Sequence, residues 1–534
     1  MCLAIALTLL LRGLYLARFG WDPWWANAVY FAQAKSLAVG PTAIFGPPLA
    51  LWALRGMRGI GLSAVGALEC LYLIAQLAFS AGVIGLGRAL YPSHSPRRER
   101  LLAILVATLP VAAGFEGYMD IGALVGAACT VWTVALAAAR PPLNGRRAAA
   151  LFTVALVGGA TRTESLVTTL MVALLLAGWG ARMAGPRARG TAGLLTLAGA
   201  AAIATTLWAH RSYVGRWELS APTYPFYTFS AGLSPWQCPG RCEGEFAPYL
   251  ESVRQFGSYL ENRGSVLHAW LQHPWALLVR SGWKVLEWAV RLVDPQRFGP
   301  VHLGLAAIGL RAWERCQPSH AWLLAGFAGA ALVLLVPPAS PMYMMVALPP
   351  LLLAAGLGAD SIFKGLSRHS QRGVLAIWSV LAVGWAGWLG GRGPSTSPVV
   401  HHAAAFLEQR CAGGCMTNYV PAHVSAEAWV NLQAAEPLPP HDNTQEDFVY
   451  GKLPADFRER CNFRSRVKKA RQAGYSGPIL FVEARVASAF SPVGFDREHD
   501  YEGPVDLSHA LLEATFSAGT DMLRIWSFPP TAAP

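Results

Sequence analysis

Only 14% of this 534-residue sequence is charged, so the side chains able to move a proton or hold a phosphate are few. Three carboxylates stand apart. Asp22 leads the stretch Gly20-Trp21-Asp22-Pro23-Trp24-Trp25-Ala26-Asn27-Ala28-Val29-Tyr30-Phe31. A carboxylate set among three tryptophans is partly desolvated, the state that suits a general base. Taken by itself the residue reads first as a helix N-cap, since Pro23 takes the first helical position and Gly40-Pro41 makes a stop. Glu116 and Asp120 lie four apart in Phe115-Glu116-Gly117-Tyr118-Met119-Asp120 and share one face if that turn is helical. Asp120 serves equally as the cap of the next helix.

Cationic groups that could meet an anion are also localised. Thr161-Arg162-Thr163-Glu164 sets Arg162 beside Glu164 between two apolar segments, where a local ion pair pinning a helical hairpin is the simplest role. His273-Pro274 opens a helical pattern carrying Arg280, Lys284 and Arg291. Arg280 and Lys284 are one turn apart, placed either to bind a lipid phosphate or to anchor the helix by snorkelling. His401-His402 and His423 are candidate metal ligands of a kind that surface domains usually leave metal-free. Phosphate-cradling glycine loops, the Gly-x-Ser-x-Gly elbow and His-Glu-x-x-His are all missing, so ATPase, serine-hydrolase and zinc-protease chemistry have no motif.

The elements that must position these groups are membrane helices. The chain is 54% hydrophobic with a positive mean hydropathy, and its apolar residues arrive in blocks of about 20, the length that crosses a hydrocarbon core. Spans are expected near 1–18, 63–90, 101–115, 121–139, 148–161, 164–183, 191–210, 300–312, 319–337, 342–359 and 373–390, about eleven helices. The first has no small-residue cleavage site and reads as a retained anchor. Basic residues recur on alternate connections, among them Arg97, Arg98, Arg147, Arg187, Arg311 and Lys364, which places those connections and the N-terminus in the cytoplasm. The net charge of +12 is thereby explained without nucleic acid.

The opposite face then holds the first outer loop (19–62), the turn 116–120, a long loop (211–299) and the tail. In the first loop an amphipathic helix carries Asn27, Tyr30 and Gln33 on one side and Trp25, Val29 and Ala32 on another, with Trp24 and Trp25 suited to the headgroup layer. Residues 1–390 form the transmembrane domain. From 391 to 534 the composition turns polar, with strand-like runs at 416–420, 478–482 and 523–528 between helical stretches, an α/β domain outside the membrane. Cys238, Cys242, Cys411, Cys415 and Cys461 fall on that side, where disulfides are permitted; the spacing of the last three is not that of a zinc knuckle or ribbon.

Taken together these stretches resemble the GT-C superfamily of polytopic glycosyltransferases. Asp22 to Gly40 is similar to the family's first outer loop, and Asp22-Pro23-Trp24-Trp25 resembles the opening of oligosaccharyltransferase catalytic subunits. Phe45-Gly46-Pro47-Pro48-Leu49 resembles the proline-proline-leucine of the protein mannosyltransferase and aminoarabinose transferase branch. Tyr118-Met119-Asp120 is similar to a second acidic site, Gly158-Gly159-Ala160-Thr161-Arg162-Thr163-Glu164 to a Thr-Arg-x-Glu turn of bacterial members, and His273-Pro274 and Pro341-Met342-Tyr343 recur in corresponding places. Ala26-Asn27 stand where bacterial members often carry an Asp-Glu pair, leaving the carboxylate to Asp22. The Trp-Trp-Asp sequon motif is missing, which disfavours whole-oligosaccharide transfer to asparagine.

The resemblance implies an inverting glycosyltransferase of the cytoplasmic membrane that moves a sugar from a polyprenyl-phosphate donor to a hydroxyl of a lipid, glycan or protein acceptor on the outer face. Asp22, Asp120 and Glu116 are its expected catalytic carboxylates, and Arg162, Arg280 and Lys284 its donor-phosphate ligands. Trp24, Trp25, Asn27, Tyr30 and Glu164 would line the acceptor cavity. A divalent cation, Mg or Mn, would fall to Asp22 and Asp120. Membrane lipids are partners in any case. The alternatives are an O-antigen ligase-like or polymerase-like enzyme and a non-catalytic lipid or glycan transporter or assembly subunit.

Overall fold

The computed structural model describes residues 5–11, 48–62, 64–91, 96–109, 121–139, 143–180, 186–214, 247–257, 261–263, 265–294, 297–313, 341–367, 369–374, 398–410, 416–417, 474–485, 507–519 and 521–529, with isolated positions between them. Its main helices are α1 Leu49–Gly59, α2 Ala64–Leu90, α3 Pro96–Ala107, α4 Ile121–Ala138, α5 Gly145–Gly159, α6 Thr163–Leu175, α7 Pro186–Val214, α8 Ala247–Phe256, α9 Val266–Gln272, α10 Pro274–Val293, α11 Pro300–Trp313, α12 Leu348–Lys364 and α13 Pro398–Arg410.

Three of these are long and apolar enough to cross a membrane, over Glu69–Leu90, Ile121–Ala138 and Ala188–Ser212. Their positions agree with three of the expected spans. Around them, α1 to α7, α11 and α12 share one apolar core that includes Phe79, Leu105, Leu124, Val131, Val172 and Leu352. Small residues bring the backbones together, as suits helices that gain no hydrophobic drive from lipid. A Cβ on Gly82 of α2 would stand 3.0 Å from Val131 of α4, and the indole N–H of Trp132 donates to the Ala78 carbonyl across the same seam, at 2.8 Å. Gly158 and Gly159 at the end of α5 face Cys129 of α4 and Ala202 of α7, 2.8 and 2.9 Å from where a Cβ would be.

One end of the bundle is tied by charge. Asp360, fully buried on α12, accepts from Nε of Arg97 at 2.9 Å and from Nη2 of Arg98 at 3.0 Å, with Lys364 at 3.6 Å. These bases come from two connections that the charge pattern assigns to the same side. Helix α12 continues past the expected end at 359 to Lys364, so Asp360 is a helical residue and not a loop one. Arg147 caps α4 by donating from Nε to the Leu136 carbonyl at 3.0 Å.

The tail holds a four-stranded sheet of β1 Met416–Thr417, β2 Ile479–Arg485, β3 Leu511–Ala518 and β4 Asp521–Phe528, in the order β1-β2-β4-β3. Only β1 and β2 run parallel. Strand alternation gives the sheet two apolar faces. Leu480, Val482, Leu523 and Ile525 pack under Val399, Ala403 and Leu407 of α13, while Ile479 and Phe528 pack with Val467 on the other side. Strand β3 was not among the expected runs. Its burial alternates only weakly, as befits a sheet edge carrying exposed Leu511 and Leu512, and it forms through its hairpin with β4, turned at Gly519 with φ +61°.

Candidate functional site

The turn between α5 and α6 gathers four parts of the chain. Arg162 is extended there, with φ −149° and ψ 137°, and α6 starts at the next residue. Glu164 thus lies in the first helical turn, where a negative charge is stabilised by the helix N-terminus. The guanidinium of Arg162 grips this carboxylate as a fork, from Nε to Oε2 at 3.2 Å and from Nη2 to Oε1 at 3.1 Å. Both side chains are nearly buried. Beneath them the stem of Arg162 lies on Gly126 of α4, where a Cβ would stand 2.8 Å from Cγ of Arg162 and from Oγ of Ser165. Ser165 is held by Thr130 at 3.0 Å.

Two further segments meet this turn. Tyr343 lies with its ring centroid 5.4 Å from the Arg162 guanidinium, a cation–π contact. The Leu49 N–H donates to the Ala160 carbonyl at 3.1 Å, docking the end of the Pro47-Pro48-Leu49 stretch on the hairpin. The product is a planar cation held in orientation by a carboxylate, an aromatic face and a glycine.

A second basic group lies on α10. Arg280 and Lys284 are both fully buried, so neither extends along an exposed face as a snorkelling anchor would. Arg280 donates from Nη2 to the Phe229 carbonyl, and its guanidinium sits 4.0 Å from the Phe229 ring centroid and 5.6 Å from that of Phe256. Lys284 Nζ pairs with Glu287 Oε2 at 3.1 Å, and Arg291 approaches the other oxygen of Glu287 at 3.4 Å. Phe229, Phe256 of α8 and Ala269 of α9 make the small core on which this helix closes.

Arg162 and Glu164 are therefore brought together, while Arg280 and Lys284 belong to the unit of α8, α9 and α10. Asp22, Trp24, Trp25, Asn27, Tyr30, Glu116 and Asp120 lie outside the described residues, as do Cys238, Cys242, Cys411, Cys415, Cys461 and His423. His402 is exposed, its ring tilted against that of Phe516 at 6.4 Å between centroids. Among the described residues no three His, Cys, Asp or Glu side chains converge as for a metal. Sequence reasoning missed Glu287, although its spacing of three from Lys284 and four from Arg291 was a readable signal. The seat of Arg162 on Gly126 had no such signal.

No family model matches the chain, and no curated protein matches it in sequence. Solved structures do. The crystal structure of the Archaeoglobus fulgidus oligosaccharyltransferase, a complex with Zn and sulfate, superposes with a TM-score of 0.51 at 12% identity, over 90% of this chain and 67% of that one. ArnT from Cupriavidus metallidurans, in the apo state, is matched at a TM-score of 0.39 and 11% identity over 100% of this chain and 98% of that one. The first likeness is one of architecture, and by it the chain has the GT-C-like fold of the archaeal oligosaccharyltransferase.

Proposed function

We propose that the chain is a membrane glycosyltransferase that moves a sugar from a polyprenyl-phosphate donor to an acceptor hydroxyl at the outer face of the cytoplasmic membrane. The observation that carries this reading is the fold shared with an oligosaccharyltransferase over nine-tenths of the chain. The acceptor is a lipid, a glycan or a protein. Asp22 takes the proton of its hydroxyl while the oxygen attacks the anomeric carbon; the bond from that carbon to the phosphate oxygen breaks with inversion. The phosphate leaves as an anion, so no general acid is required.

Arg162 faces the charge that develops on the leaving phosphate, and Glu164 and Tyr343 keep its plane from turning. Arg280 adds positive potential from α10, while Lys284 is balanced there by Glu287. Glu116 or Asp120 orients the acceptor. The archaeal neighbour binds Zn and sulfate. A divalent cation here would belong to Asp22 and Asp120, and no step above runs through it.

Purified protein, reconstituted in vesicles and given synthetic polyprenyl-phosphate sugars, is expected to transfer sugar, and Asp22→Ala to lower that rate by about a hundredfold or more. Undiminished transfer by Asp22→Ala removes the base assignment. Failure of the unaltered protein with every such donor removes the function.

A further inference from the structure

Helix α10 is built inside out for a helix in water. Its fully buried residues are Arg280, Lys284 and Glu287, all charged. Every exposed residue is apolar or glycine, the largest being Trp275, Leu278, Trp283, Leu286, Val290 and Val293. At about 100° per residue the two sets occupy opposite sides, because Arg280, Lys284, Glu287 and Arg291 recur at helical spacing on one stripe.

In water, half a turn about the axis would solvate the charges and bury the apolar stripe. Covering the large apolar side chains would be favourable, and the buried ions would regain their hydration. The helix keeps the reverse arrangement, so the medium outside it is less polar than the protein it rests on. A second protein chain would also cover an apolar patch, but three features favour hydrocarbon. The stripe runs the full 20 residues, about 30 Å of helix and equal to the hydrocarbon thickness. Leu267 and Leu271 of α9, the helix just before it, are exposed as well. The apolar exposure also matches that of the long spans, as at Ile74 of α2 and Leu197 of α7.

We propose that α10 is embedded in the hydrocarbon layer of the membrane, with its apolar stripe against lipid acyl chains and its charged stripe closed against the protein. It then forms a wall between lipid and the Arg280–Phe229 cluster. Residues 211–299 are accordingly not one extramembranous loop. The four charged side chains lower the mean hydropathy of α10 and so conceal it among the loop residues. This inference does not depend on the enzymatic reading.

The test places a benzoylphenylalanine photoprobe, one site at a time, at Leu278, Leu286 and Val290 of the full chain in phosphatidylethanolamine and phosphatidylglycerol vesicles. The same probe at Leu197 is the reference. Lipid adducts, read by intact mass, are expected at all three sites with a yield comparable to Leu197. A covalent dimer in place of lipid adducts would assign the stripe to a second copy and overturn the proposal. Absence of lipid adducts on α10 while Leu197 gives them would overturn it as well. All three positions are exposed, so the probe itself does not disturb packing.

Discussion

Arg162 and Glu164 are two residues apart in sequence, and their pairing was readable from that spacing alone. What it means depends on surroundings that lie far away in the chain. Nearly buried charges of this kind are held by each other, and removing one leaves the other without compensation, at a cost of about 3 kcal/mol or more. Glu164→Gln is therefore expected to lower the thermal midpoint of the purified protein clearly, which unfolding followed by fluorescence would detect. Arg162→Lys separates the two roles. It keeps the charge but loses the fork, so stability should fall less than in Glu164→Gln while sugar transfer falls at least tenfold. Transfer that merely tracks stability across both variants would leave Arg162 as a hairpin pin.

At the scale of elements, the described glycines with least room lie at the crossing of α11 and α12. A Cβ on Gly309 would overlap the Ala354 carbonyl, and one on Gly358 the Leu305 carbonyl. Backbone cannot yield as a side chain can, so alanine at either position must push the helices apart. Gly358→Ala is expected to destabilise the bundle by about 1–3 kcal/mol, seen as a lowered midpoint, whereas Gly304→Ala on α11, with open space at its Cβ, should have little effect. These glycines were legible only as composition. Apolar length announced the helices, but nothing in it says which glycine meets which backbone. Helix α10 shows the complementary case, since its periodicity was plain while the direction of its charged stripe was decided by packing.

For the molecule as a whole, the tail offers a separable reading of stability. Arg410 of α13 donates to Glu513 of β3 from Nε at 2.8 Å and from Nη2 at 3.0 Å. Those bonds hold the Glu513 carboxyl below its usual range and raise Arg410. A depressed folded value means that the stabilisation is present above the unfolded value near about 4.3 and is lost as pH falls through the folded one. Arg410 is about half exposed, so solvent screening limits the pair to about 0.2–1 kcal/mol. Hydrogen exchange of β4 in the full chain is expected to quicken in Arg410→Met at pH 7 by up to about fivefold. That difference should shrink as pH falls below the usual carboxylate range and Glu513 takes up its proton. An undiminished gap at low pH would show that Arg410 acts by packing.

The sequence by itself determined the class of molecule, because apolar blocks of bilayer length and arginines on alternate connections follow from transfer energies that act residue by residue. It also determined that Arg162 meets Glu164 and that the tail carries strands, since both are near-neighbour effects. The tertiary structure alone decided that Tyr343, Gly126 and Leu49 converge on that turn, that Asp360 collects bases from a distant connection, and that Arg280 turns inward on Phe229. Each of those joins residues separated by tens to hundreds of positions. Such contacts form where whole helix faces fit, and no local pattern of charge or hydropathy encodes which faces those are.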